Sequence, residues 1–219
     1  MVSPSRGEGG RDEILDVAER LFVARGYEHT TIDDVLDAAG VAEGSRDDCF
    51  KSKEDILDGI IARQCDQFIA AAAAVSAEDT GALEKILRFI FSLQPQGEHQ
   101  KGLVRDLEQS SGGRLFLETL NAIVLRAAPI LADIIKQGMA EGVFLTPFPL
   151  ESAQILMAAG HALFDNADFS WTPDEELAKM AAFLMVIERS LGAKEGSLME
   201  LSGMWGATDT DQSDTTDAI

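Results

Sequence analysis

The apolar residues of this chain recur at helical spacing almost from end to end, and no stretch alternates as a strand between hairpin turns. That pattern restricts the fold to packed helices. Ile14, Ala18, Leu21 and Phe22 share one face of a first helix. Gly26 is expected to end it, because glycine enters the left-handed conformation of a helix C-terminus without steric penalty. Thr30, at capping-box spacing from Asp33, is expected to open a short second helix with the stripe Ile32, Val35, Leu36 and Ala39, stopping at Gly40. A third short segment covers Gly44 to Phe50. Ser52 and Asp55 repeat the capping spacing and begin a long helix through Ile56, Leu57, Ile60 and Ile61 into the alanine tract near Ala74.

Further helices are expected over Leu83–Leu93, His99–Gln109, Arg114–Ala140 with a bend at Pro129, and Leu150–Ala167. A last one is capped by Thr172, carries Pro173 first and Glu175 third, and runs to Leu191 before Gly192. Thr208 to Ile219 is rich in Asp and Thr with almost nothing to bury, the composition of a disordered tail. The expected class is all-α. The expected organisation is a flexible N-terminus at 1–10, a helix-turn-helix domain at 11–57, a larger helical domain at 58–194 and a tail at 195–219.

The last two long helices are apolar around most of their circumference. Ile155 to Phe164 is nearly continuous and Met180 to Ile187 is continuous, where a surface helix would show one polar face. Two arrangements satisfy this: deep burial within one subunit, or one side on the core and the other on a second copy. The second is expected, through Leu150–Ala167 and Asp174–Leu191 as an isologous four-helix interface.

Charge narrows the partners. The chain has 18 Lys+Arg against 38 Asp+Glu, a formal net of −20, and 46% hydrophobic residues. It is too apolar for a disordered acidic chain. Its average field repels nucleic acid and anionic membranes, although a local contact surface remains open to it. Residues 1–60 hold 7 basic and 15 acidic side chains, a net of −8. Cys49 and Cys65 make no disulfide framework and read as reduced thiols of a cytoplasmic protein. No secretory signal opens the chain, and the longest apolar run is too short to span a membrane. His29, His99 and His161 lack metal-ligand spacing, and neither Gly7-Glu8-Gly9-Gly10 nor Gly112-Gly113 forms a phosphate loop. No nucleophile–base arrangement is legible. No metal, no cofactor and no enzymatic activity are expected.

The N-terminal third resembles the TetR family of bacterial transcription regulators. The matching residues are Ile14-Leu15-Asp16-Val17-Ala18-Glu19-Arg20-Leu21-Phe22, Arg25-Gly26-Tyr27, Thr30-Thr31-Ile32-Asp33-Asp34-Val35, Ala38-Ala39-Gly40-Val41 and Phe50-Lys51-Ser52-Lys53-Glu54-Asp55-Ile56-Leu57. Glu141-Gly142-Val143-Phe144, before a Pro-bounded apolar helix, looks like the family's approach to its dimerisation helices. The resemblance implies an all-helical homodimer with an N-terminal DNA-binding domain and a C-terminal domain for dimerisation and a small-molecule ligand. It implies a regulator, most often a repressor, reading double-stranded DNA as a pseudo-palindrome. By resemblance the DNA-contacting positions are Thr30, Thr31, Ser45, Arg46, Asp47, Asp48, Lys51 and Lys53. The helices that surround the ligand in this family carry Phe68, Phe89, Phe116, Met157, His161 and Phe164 here, with Gln154 as a further polar group.

The chain departs from the family between Val41 and Phe50. Glu43 stands where Lys or Arg is common, Asp47 and Asp48 replace aromatics, and Arg46 replaces an aliphatic anchor. Carboxylates near phosphate are repelled, although they can accept from cytosine N4. A second reading follows from these three acids: a dimer of the same fold that no longer reads DNA and serves as a ligand-binding or protein-interaction module.

Overall fold

The computed structural model describes residues 8–42, 50–92, 114–164 and 171–202, with side chains described from residue 10 and, in the third stretch, from residue 121. Among these residues the structure is helical and without strands. Its helices are α1 (Glu8–Arg25), α2 (Ile32–Ala38), α3 (Lys53–Ala77), α4 (Ala82–Ser92), α5 (Arg114–Ala140), α6 (Pro149–Phe164) and α7 (Pro173–Leu191). A short helical stretch follows at 197–202. The segments expected at 44–49, at His99–Gln109 and beyond Thr208 lie outside the described residues.

Two compact units divide the chain. The second begins at Phe68 within α3 and takes α4, α6, α7 and α5 from Ala122 onward. In the first, Ile14, Ala18 and Phe22 of α1 pack with Val35 and Leu36 of α2 and with Phe50, Ile56 and Ile60 at and within α3. Gly26, at φ 83°, ends α1 as expected. Arg63 of α3 ties back to α1, with one guanidinium nitrogen 2.7 Å from Asp16 and the other 3.1 Å from Glu19.

The start of α2 corrects the expectation from spacing. Thr31, not Thr30, is the N-cap: its hydroxyl accepts from the Asp34 N–H at 3.1 Å, and the Asp34 carboxylate accepts from the Thr31 N–H at 2.9 Å. Thr30 and Thr31 both have an Asp three residues on, so spacing alone does not choose between them. The preceding turn chooses. The Thr30 N–H donates to Tyr27 O, its hydroxyl donates to Gly26 O at 2.9 Å, and the side chain is buried. Ser52 behaves as expected, its hydroxyl accepting from the Asp55 N–H at 3.1 Å.

The described residues of the second unit share a large core of Ile86, Leu87, Phe89, Leu131, Ile134, Ile135, Leu156, Leu184 and their neighbours. α5 continues through Pro129 and ends in a reversal at Gly138, whose carbonyl accepts from both Val143 and Phe144. Phe144 folds so closely onto Gly138 that a Cβ there would overlap its ring. Among the described residues of this unit two charged groups are buried, and each is satisfied, as burial in low dielectric demands. Lys85 donates to Ser76 O and Gln137 Oε1, both at 2.8 Å. Glu188 accepts from the backbone N–H groups of Gly196 at 2.8 Å and Leu198 at 2.7 Å, pinning the stretch at 197–202 to the core. α7 has the cap read from sequence, Thr172 with Glu175 in a reciprocal box and Pro173 at the first turn.

Candidate functional site

In the first unit, α1, α2 and the start of α3 carry the described positions on either side of residues 43–49. Glu43, Ser45, Arg46, Asp47 and Asp48 lie outside the described residues. The remaining positions fall into two kinds. Lys51 is exposed, and its backbone N–H donates to the Asp55 carboxylate at 3.1 Å. Thr31 is exposed but its hydroxyl and N–H both engage Asp34.

Thr30 and Lys53 point inward. The Lys53 ammonium donates to Tyr27 O at 2.8 Å and lies 4.1 Å from the centre of the Tyr27 ring. It thereby fastens the α1–α2 turn to the first turn of α3. No local pattern links Tyr27 to Lys53, which stand 26 residues apart. Tyr27 packs edge-on against Phe22 with centroids 5.1 Å apart. Burial, aided by the carboxylates of Glu54, Glu28 and Asp58, pushes its phenol from 10.0 up to about 12. At the α3 N-terminus, its own backbone N–H and the Ser52 hydroxyl hold the Glu54 carboxyl below its usual value.

The second unit contains a cavity of about 30 Å³. α4 contributes Ile86, Phe89 and Ile90 and α5 contributes Leu131 and Ile135. The opposite side is Leu156, Met157 and Gly160 of α6 with Phe183, Ile187 and Leu191 of α7. Phe89 and Met157 thus stand in its lining. His161 and Phe164 do not, although Phe164 meets the lining residue Phe183 edge-on at 5.6 Å. The side chain of Phe116 lies outside the described residues. Ile86, Ile135 and Phe183 carry no sequence signal beyond ordinary core spacing. Among the described residues no cluster of His, Cys, Asp and Glu has the makings of a metal site, and no described helix is long and apolar enough to cross a membrane.

α6 and α7 each have a second, outward side. Leu156, Met157 and Gly160 of α6 are buried while Ile155, Ala159 and Ala162 are exposed. On α7, Leu184, Ile187 and Leu191 are buried while Ala178, Ala182 and Val186 are exposed. Ile155 is 68% exposed and Leu177 72%.

Comparison with known proteins agrees in both halves. Residues 14–60 match the family described as "Bacterial regulatory proteins, tetR family". Residues 100–186 match "Tetracyclin repressor-like, C-terminal domain". The chain is 30% identical over 149 residues to the HTH-type transcriptional repressor KstR2 of Mycolicibacterium smegmatis, covering 65% of this chain and 71% of that protein. It is 30% identical over 133 residues to the fatty acid metabolism regulator protein of Bacillus subtilis, covering 59% and 68%. Among solved structures it shares its fold with Salmonella enterica GusR (TM-score 0.65, 16% identity, 87% of this chain and 99% of that one). It shares it likewise with the fatty acid degradation regulator FadR from Bacillus halodurans (TM-score 0.62, 19% identity, 89% and 100%).

Proposed function

This chain belongs to the TetR family of bacterial transcription regulators, and on that premise we propose that it is a homodimeric repressor whose hold on an operator is released by a small-molecule effector. It is a DNA-binding regulator that responds to ligands. The observation that carries this reading is the first unit: α1, α2 and α3 pack residues of the matched motif into one core, the framework of a helix-turn-helix reading head. Ser45, Arg46, Asp47, Asp48 and Lys51, with Thr31, supply the DNA contacts. Thr30 and Lys53 hold the framework behind them.

The outward stripes of α6 and α7 support a homodimer. Ile155, Ala159 and Ala162 with Ala178, Ala182 and Val186 are small or aliphatic, which lets helices approach closely, and a two-fold axis pairs each stripe with its copy. A strictly monomeric mass at micromolar concentration would overturn this. In this reading residues 11–57 read DNA and residues 58–194 bind the effector and dimerise, while the break between the compact units falls later, at Phe68.

The reading is tested by titrating the protein against a duplex carrying the region upstream of its own gene. Saturable binding that weakens steeply with salt and prefers that duplex over random sequence is expected. Equal affinity for both at low salt would refute it. The second reading, a fold that has lost DNA recognition, rests on Glu43, Asp47 and Asp48, and relatives that are themselves repressors do not favour it.

A further inference from the structure

Among the residues lining the cavity of the second unit, Gly160 alone lacks a side chain, and its neighbour across the helix pair fills the gap. A Cβ at Gly160 would stand 3.1 Å from Cζ and 3.4 Å from Cε1 of Phe183. The Phe183 ring therefore sits in the notch that the glycine leaves. Phe164 braces it edge-on, with centroids 5.6 Å apart. Phe183 also differs from the other α7 residues of the lining: Ile187 and Leu191 are buried, whereas Phe183 is half-buried.

The chemistry of the lining is uniform. It consists of aliphatic and aromatic carbon with one thioether, from Met157. At about 30 Å³ the cavity has room for one or two waters, yet it offers them no hydrogen-bonding partner. A charged or hydrogen-bonding group placed there would lose its hydration without compensation. A hydrocarbon group loses nothing by entering.

We propose that this cavity receives the hydrocarbon part of the effector, and that Phe183, seated in the notch at Gly160, is the wall that sets how large that part can be. The proposal rests on the second unit being the effector-binding part of the regulator. An outward swing of the half-buried ring adds a phenyl-sized space to a cavity too small for more than a few atoms. The polar end of the effector then stays toward the α6–α7 surface. Gly160 serves the same function from the other side, since any side chain there competes with the ring for the notch.

The test is a fluorescence titration of the full chain, without DNA, with neutral N-phenylnaphthylamine and with its sulfonated analogue. Phe183→Ala is expected to tighten binding of the neutral probe by about tenfold or more, and Phe183→Leu by less, the order expected from added apolar contact area. The sulfonated analogue is expected to gain nothing. Benzene, a ligand of dry phenyl-sized cavities, is expected to displace the neutral probe from Phe183→Ala. Phe183→Leu keeps the test open should the alanine variant fail to fold. Unchanged or weakened binding of the neutral probe in the folded variants would overturn the proposal, as would an equal gain for the sulfonated analogue. A protein that ignored its upstream DNA would refute the regulator reading while leaving this titration to stand or fall by itself.

Discussion

Replacing Lys53 by methionine separates two roles that sequence resemblance merges. Resemblance makes Lys53 a phosphate contact; the structure gives its ammonium to Tyr27 O at 2.8 Å and to the Tyr27 ring at 4.1 Å. A hydrogen bond from a charged donor contributes about 1.5–3 kcal/mol, and an exposed cation–π contact about 0.5–1 kcal/mol. Lys53 is half-buried, so the low end of each range applies. The carbonyl it leaves still accepts from the Thr30 N–H, which removes any further cost of an orphaned acceptor. Methionine keeps the apolar stem. The expected loss is about 2 kcal/mol, a fall in Tm of about 4–8 °C for a chain of this length. Thermal unfolding followed through the absorbance of Tyr27, the sole tyrosine, reads the first unit. DNA titrations over a salt series give the second readout: a lysine holding a phosphate adds about one unit to the slope of log K against log salt. The expectation is a lowered Tm with an unchanged slope. A Tm within about 1 °C of the parent together with a slope reduced by about one would refute the positioning role.

Tyr27 makes a pH prediction as well. Its folded value lies near 12 against 10.0 for an ordinary phenol, so the protonated form is the one the fold favours. The stability it contributes is complete below about pH 10 and is lost between there and about 12. Tyrosinate absorbance should titrate near 12 in the folded chain and near 10 in urea; a folded midpoint near 10 would contradict the burial and the three neighbouring carboxylates. Gly138→Ala should destabilise by about 3 kcal/mol, because its methyl meets the Phe144 ring. Phe144→Leu should absorb part of that loss, so additive penalties in urea unfolding would show that the close approach is not the cause. Glu188→Gln should cost about 2 kcal/mol, since the amide can still accept from one of the two backbone N–H groups but opposes the other with a donor. A loss below about 0.5 kcal/mol in denaturant unfolding would indicate that water satisfies those groups instead.

Much of the molecule is legible in its sequence. Helical spacing of apolar residues, the stops at Gly26 and Gly192 and the caps at Ser52 and Thr172 act within one or two turns, and local effects of that range are written in adjacent residues. The motif across residues 14–57 was legible for the same reason, as was the double-sided apolar character of α6 and α7. Where two local solutions competed, the tertiary structure decided. Thr30 and Thr31 offer the same capping spacing, and burial of Thr30 against Gly26 O left the cap to Thr31. Lys53 has the composition of a surface cation, and only the return of α3 onto the Tyr27 turn fixes its ammonium there. The cavity was the least legible of all. Ile86, Ile135, Gly160 and Phe183 come from four helices, and each has the pattern of ordinary core. An empty space is a property of how side chains from distant segments fail to meet, and no single segment encodes it.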